Sequence, residues 1–414
     1  MSHNNHFDEK KNEFLGVKCM EKYLRLIADE EFFTNISFSV TPAVKSGENF
    51  VGDVYRATIQ GDEKNGRSKK IHLIAKCAPL DSRRKYIKVR RMFLQEIHFY
   101  EKLLPTFNDF LRDYNMTLEY IPYIYASSKE HLNEILVLED LKYQNYYMRE
   151  LKFLDYPHAR LTLRCIARFH AYSFAIRAKK PETFEIFKSI KEPVFYFGNP
   201  ITINTEDDDY SIALIDLIEK VLEEEDEHYR KRYKNFVKNM SKIALEVVKG
   251  SYAEPYAVVN HGDAWTNNIL FKYKENDKNN EPEDLRFLDF QVCRYASPAL
   301  DISYILFCFT LHEMRVKHYD DLLRDYYDSF SNCLRSLDCD PNVLFPYETL
   351  LKHIKHFGRY AACMAVYVLH FHADPNNRSL TGDVNVYHEI LKTNKFYKNV
   401  LKNTFKEFID RNII

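Results

Sequence analysis

The sequence predicts an α+β fold in two lobes: a small antiparallel β lobe carrying one main helix, then a large, mostly helical lobe. Three observations carry the prediction. Five strand-like runs and one main helical run occupy the chain up to Glu139; apolar residues recur at helical spacing from Tyr156 onward; and the one strand signal in that later part is a hairpin flanked by polar side chains. At 414 residues the chain exceeds one small domain, so two units, 1–140 and 141–414, are expected.

The first lobe opens with a helix over Glu21 to Phe32, with Tyr23, Leu24, Ile27 and Phe32 on one side, set to pack across the back of the strands. Strand-like runs follow at Ile36 to Val44, Val54 to Ile59 and His72 to Cys77. The segment Gly61 to Lys70, containing Asn65-Gly66, turns the second strand into the third. Met92 to Leu104 reads as a helix stopped by Pro105, and two further strands fall at Tyr123 to Ala126 and Ile135 to Glu139. The basic run from Arg83-Arg84-Lys85 to Arg90-Arg91 reads as the solvated start of that helix.

In the second lobe Leu161 to Lys179 is a long helix with one apolar face. Ser211 to Val248 holds at least two helices, and most of Leu300 to Asn412 is helical with short breaks. The acidic cluster Thr205 to Asp209 is expected as an exposed loop, because adjacent like charges repel when buried together.

Fifty-nine basic and 60 acidic residues leave a net charge of −1, so no overall field draws the chain to nucleic acid or an anionic membrane. Eight scattered cysteines include no C-x-x-C pair and sit mostly in apolar runs, as small buried hydrophobes do. Met1 to Lys11 is polar, without the apolar stretch of a signal peptide, and the longest apolar stretches fall short of the roughly 20 residues of a membrane span. A cytoplasmic chain with no required protein partner is the expectation.

The chemistry concentrates in His261-Gly262-Asp263-Ala264-Trp265-Thr266-Asn267-Asn268, followed by Leu288-Asp289-Phe290-Gln291. Phosphoryl transfer to a hydroxyl needs an acidic group that orients the hydroxyl and accepts its proton, and oxygen ligands that hold Mg2+ against the phosphates. Asp263 suits the first role; Asn268 and Asp289 suit the second. The strand-like runs Ile269 to Tyr273 and Leu285 to Leu288 are expected to pair as a hairpin and fold the two halves of the motif together. Gly262 permits a tight path before Asp263, and His261 braces the loop. Asp301 either anchors that loop from below or caps a helix. The pairs His353 with His356 and His370 with His372 lack further metal ligands, and His170 reads as a packing histidine.

Three elements upstream complete the set. Lys76 ends a strand, where a lysine reaches phosphate oxygens as a point charge. Glu96 lies inside an apolar helix, where a carboxylate needs a cationic partner, and Lys76 is the candidate; Glu101 competes for the same role. Leu136 to Leu141 runs from an apolar strand into an acidic turn. There the Glu139 carbonyl and Leu141 amide would bond adenine, or the segment is only a linker between lobes. No G-x-G-x-x-G loop exists; Ser46 to Gly52, with Gly47 and Asn49, would cover the nucleotide.

Taken together, these residues resemble the ecdysteroid-kinase-like family of small-molecule kinases, related to choline kinases and aminoglycoside phosphotransferases. The matching pieces are Gly47-Glu48-Asn49-Phe50, Ile74-Ala75-Lys76, Phe93 to Tyr100, Val137 to Leu141, Arg168 to Ala171, HGDAWTNN and Leu288 to Gln291, spanning roughly residues 40 to 370. The resemblance implies a protein-kinase-like fold and ATP-dependent phosphorylation of a small-molecule hydroxyl, with an ecdysteroid or other steroid as acceptor. It further implies Asp263 as catalytic residue, Asn268 and Asp289 as Mg2+ ligands, and Lys76 with Glu96 as the phosphate-anchoring pair. The missing A-P-E segment disfavours a protein acceptor. Kinases of choline-like or xenobiotic glycoside alcohols, and a catalytically silent ligand-binding relative, are the alternatives.

Overall fold

The structure, a computed structural model, describes residues 20–43, 52–81, 83–86, 88–192, 209–274, 281–373 and 384–414. Gly47 and Asn49, and all of the expected acidic loop except Asp209, lie outside them. The chain forms two compact units. One comprises Met1–Pro105, Glu119–Tyr147 and Leu288–Gln291; the other comprises Thr106–Leu118, Met148–Phe287 and Val292–Ile414.

The first unit is built on five antiparallel strands, β1 (Thr34–Pro42), β2 (Asp53–Asp62), β3 (Ser68–Cys77), β4 (Ile124–Ser128) and β5 (Ile135–Glu139), in the order β1-β2-β3-β5-β4. Alternation along β3 sends Ile71, Leu73 and Ala75 to one face. There they form one core with Ala57 and Ile59 of β2 and with Met20, Tyr23, Leu24, Ile27 and Ala28 of the helix over 20–30. Phe32 was expected in that core, but it ends the helix in a left-handed turn (φ 55°) and is 63 % exposed. Phe33 is buried instead, and Lys64 sits over the exposed Phe32 ring.

Pro105 does not stop the helix expected before it. Helix Val89–His98 passes through a π-helical turn, Phe99–Leu103, into helix Leu104–Arg112. The Leu104 amide bonds the Phe99 carbonyl, an i→i+5 step. Pro105 thereby falls in the first turn of a new segment, where its missing N–H costs nothing. The basic run also differs from a solvated face. Arg84 and Arg90 both clamp Glu134, whose side chain is fully buried. Burial raises the Glu134 pKa, and the hydrogen bonds from Arg84 and Arg90 outweigh it, holding the carboxyl below its ordinary value. Arg83 bonds Asp53 and Asp81.

The second unit is mostly helical. Helix Tyr156–Lys179 packs along helix His312–Ser336, with Asp325 accepting from both Arg160 and Arg164. Helices Asp209–Leu222 and Glu227–Val247 fill the stretch that read as two helices. Two small sheets interrupt the helices. Val258–Asn260 pairs antiparallel with Arg294–Ala296, and Ile269–Tyr273 pairs with Pro282–Phe287. In the second pair Ile269 stands opposite Phe287, so the expected hairpin exists. Among the described residues no helix is long and apolar enough to cross a membrane.

A buried ion cluster holds the C-terminal helix Lys395–Asp410 in this unit. Arg315, fully buried, donates to Glu407 at 2.8 Å, and Glu407 also receives Arg411 at 2.8 Å and bonds His312 at 2.9 Å. Burial would raise the Glu407 carboxyl, but Arg315, His312 and Arg411 together outweigh it and the pKa lies below the ordinary 4.5. Removing one partner strands a buried charge, so Glu407→Gln is expected to cost about 3 kcal/mol, seen as a lower melting temperature at pH 7. A carboxyl with a depressed folded pKa stabilises above its unfolded pKa and loses that contribution as pH falls through the folded value. The melting gap between wild type and Glu407→Gln should therefore narrow below pH 4.5.

Candidate active site

In the first unit the alternation that buries Ala75 sends Lys76 to the opposite face of the sheet, toward helix Val89–His98. Its ammonium donates to Glu96 Oε2 at 2.7 Å and to Asp289 Oδ1 at 2.8 Å, and lies over the Phe93 ring. Lys76 and Glu96 are buried, at 6 % and 1 % exposure. Burial alone would lower the Lys76 pKa. Asp289 and then Glu96 overcome that and hold it above the ordinary lysine range, so the ammonium stays charged. The Glu96 carboxyl is pushed upward by burial, with Lys76 pulling the other way. Glu101, the competing carboxylate, bonds Ser127 and Lys129 instead.

Asp289 reaches Lys76 because its backbone is left-handed, with φ 67°, a conformation that aspartate adopts more readily than most residues. The next residue fixes the turn: Phe290 stacks on Phe99 with ring centroids 3.7 Å apart and meets Tyr100 edge-on. The Glu139-to-Leu141 segment is braced by side chains. Glu139 accepts from the Tyr123 amide and from Gln144, and Asp140 from Arg56 and the Lys142 amide. Leu141 opens a 3-10 turn, whose first amides have no partner within the turn.

In the second unit the chain leaves strand Val258–Asn260 at His261 and turns at Gly262, where φ is +86°. A Cβ there would lie 2.1 Å from the Val292 carbonyl oxygen, so only glycine fits. Asp301 lies under the turn, its two oxygens accepting from the His261 amide at 2.7 Å and the Gly262 amide at 2.9 Å. Of the two readings for Asp301, loop anchor is the one observed; helix Ala299–Phe309 has no side-chain cap. Burial would raise the Asp301 carboxyl, but His170, His261 and the Gly262 amide together outweigh this and hold it low. His170 bonds Asp301 at 3.2 Å and Tyr326 at 2.8 Å, so it is buried as expected but also orients the anchor.

Above this turn the Asp263 amide donates to His261 Nδ1 at 3.2 Å. The Asn268 amide nitrogen donates to the Asp263 carbonyl at 3.0 Å and to its carboxylate Oδ2 at 3.2 Å. Tyr304 donates its hydroxyl to Asp263 Oδ1 at 2.9 Å. With Nδ2 committed to Asp263, the second unit's Asn268 has Oδ1 as a hard oxygen donor, the kind of oxygen that Mg2+ takes one or two of from a protein before completing its shell with phosphate and water. Among the described residues no group of three or more His, Cys, Asp or Glu side chains is arranged as a metal site.

A family model described as the ecdysteroid kinase-like family matches residues 46–339, more than half of the chain. The chain belongs to the ecdysteroid kinase-like family. It is by that membership a small-molecule kinase, with the mixed α+β fold of a β-sheet unit and a helical unit. No curated protein sequence matches it. Solved structures similar to this ecdysteroid kinase-like chain include two GDP complexes of aminoglycoside 2'-phosphotransferase-IIIa. A point mutant is 16 % identical, covers 94 % of this chain and 99 % of its own, and has a TM-score of 0.41. The wild-type enzyme is 16 % identical, with 83 % and 96 % covered and a TM-score of 0.35.

The structure thus brings Lys76, Glu96 and Asp289 together in one unit of the ecdysteroid kinase-like chain, and Asp263 with Asn268 in the other. Sequence reasoning missed Tyr304 and the tie from His170 to Asp301. The signal for Tyr304 was its place one helical turn after Asp301. It was hidden because helix Ala299–Phe309 is buried all round and shows no polar face. Removing the Lys76 cation strands two carboxylates, so it should cost more than removing Lys76 and Glu96 together, which strands only Asp289. Lys76→Met is expected to lose about 3 kcal/mol, and Lys76→Met with Glu96→Gln to regain part of it, read as melting temperatures.

Proposed function

We propose that this chain transfers the terminal phosphoryl group of ATP to a hydroxyl of an apolar or amphipathic small molecule, with a steroid such as an ecdysteroid as the leading acceptor. The observation that carries the reading is the buried ammonium of Lys76 held between Glu96 and Asp289. A charge so costly to bury calls for a use, and a fixed cation on a sheet face suits phosphate oxygens.

Each unit contributes its own part. In the first, Lys76 meets the phosphates of ATP, Glu96 fixes its direction, and Asp289 offers oxygen to the divalent ion. The Glu139 carbonyl and Leu141 amide receive the adenine edge, and Gly47 and Asn49 belong to the segment assigned to cover the nucleotide. In the second, Asn268 offers its amide oxygen to Mg2+. When bound, Mg2+ offsets charge on the phosphate oxygens. Asp263 accepts the acceptor's hydroxyl proton as the alcohol oxygen bonds to the terminal phosphorus and the bridging bond to ADP breaks.

The test is ATP turnover with Mg2+ and a panel of hydroxylated sterols, plant glycosides and choline, with products identified by mass spectrometry. Turnover on sterols supports the leading acceptor, while turnover only on choline or glycosides replaces it. ATP binding without any turnover would make the chain a silent ligand-binding relative. Asp263→Asn is expected to abolish turnover while ATP affinity, measured by calorimetry, stays within about tenfold. Loss of ATP binding in that variant would mean that Asp263 has a structural job.

A further inference from the structure

We propose that Tyr304 is a positioning residue for Asp263, its hydroxyl and the Asn268 amide together fixing the plane of the carboxylate. The inference rests on the reading of Asp263 as the group that takes the acceptor's proton. An aspartate carboxylate on its own turns broadly about its terminal torsion. Here each oxygen has a donor from a different element: Oδ1 from Tyr304 at 2.9 Å and Oδ2 from Asn268 at 3.2 Å. The edge that accepts a proton is thereby held at one angle, and proton transfer in a transition state depends on that angle.

The tyrosine is itself held. It is 1 % exposed, meets Phe309 edge-on at 4.8 Å and lies 5.9 Å from the Tyr360 ring, whose own hydroxyl donates to the Gly262 carbonyl at 3.4 Å. Its helix also supplies Asp301, one turn earlier, to the His261 and Gly262 amides. One rigid helix therefore grips the backbone of the turn with one side chain and the carboxylate with another. Burial, and then the charge of Asp263, push the phenol well above its ordinary pKa, so the hydroxyl stays protonated and donates. The competing account is that Asp263 merely satisfies a buried hydroxyl, a need that burial alone creates.

The two accounts separate in kinetics. Tyr304→Phe keeps the ring and removes the donor. With Mg2+, ATP and the acceptor that the wild type phosphorylates fastest, kcat should fall on the order of tenfold or more, with KM for both substrates within about twofold. Tyr233→Phe is the control: Tyr233 is equally buried and its hydroxyl donates to the Ile215 carbonyl at 3.2 Å, so its loss should lower the melting temperature and leave kcat alone. A Tyr304→Phe enzyme that melts lower but keeps the wild-type kcat overturns the assignment. If the phenylalanine variant does not fold, 3-fluorotyrosine at position 304 retunes the donor in nearly the same shape. A kcat change of more than about twofold then supports the proposal and an unchanged kcat overturns it. Wild-type protein without turnover on any acceptor would sink the kinase reading and this role with it. Turnover that is indifferent to Tyr304 sinks this role alone.

Discussion

A buried lysine imposes the demand that the first unit is arranged to meet. Lys76 lies on a sheet face at 6 % exposure, where an unneutralised ammonium would be costly. Two carboxylates meet the cost from separate parts of the sequence: Glu96 from the helix, and Asp289 from a turn more than two hundred residues away. Meeting it fixes the rotation of helix Val89–His98 against the sheet. It also requires a left-handed backbone at Asp289, which Phe290 locks by stacking on Phe99. The charge survives because its two partners together outweigh desolvation.

The second unit solves a related problem with backbone rather than side-chain charge. The turn at Gly262 exposes two amides inside a protein core, and unpaired buried amides are expensive. Asp301 accepts both, and His170 in turn holds Asp301. In each unit a left-handed residue marks the point where the chain leaves regular structure: ring stacking holds the turn at Asp289, and the buried Asp301 carboxylate holds the one at Gly262. At Asp289, which is not glycine, the left-handed backbone is local strain of the kind that concentrates where side-chain direction matters more than stability.

Much of this was legible in the sequence, for identifiable reasons. Alternation and turn residues located the five strands, and helical spacing located the long helices. The hairpin from Ile269 to Phe287 followed from two apolar runs around a polar gap. Glu96 was visible because a carboxylate in an apolar helix needs an explanation. Failures arose where one rule overrode another. Pro105 reads as a stop, but a π-helical turn absorbs it. Phe32 reads as core until the helix ends beneath it. The arginines at 84 and 90 look solvated because their partner, Glu134, is remote in sequence. Tyr304 was hidden by uniform burial, which removes the periodicity that sequence reading depends on.

The chain contains one tryptophan, and it is Trp265. Its backbone amide donates to the Asp263 carbonyl at 2.8 Å, and its own carbonyl accepts from the Asn268 amide at 2.9 Å. The sole indole is thus wired into the loop between the residue assigned to the proton and the residue assigned to the metal. Excited at the red edge of its absorption, where the 30 tyrosines do not absorb, its emission reports on this loop. The molecule therefore comes with an intrinsic optical probe of this loop, and ligand arrival or loop disturbance in the second unit can be followed without attaching a label.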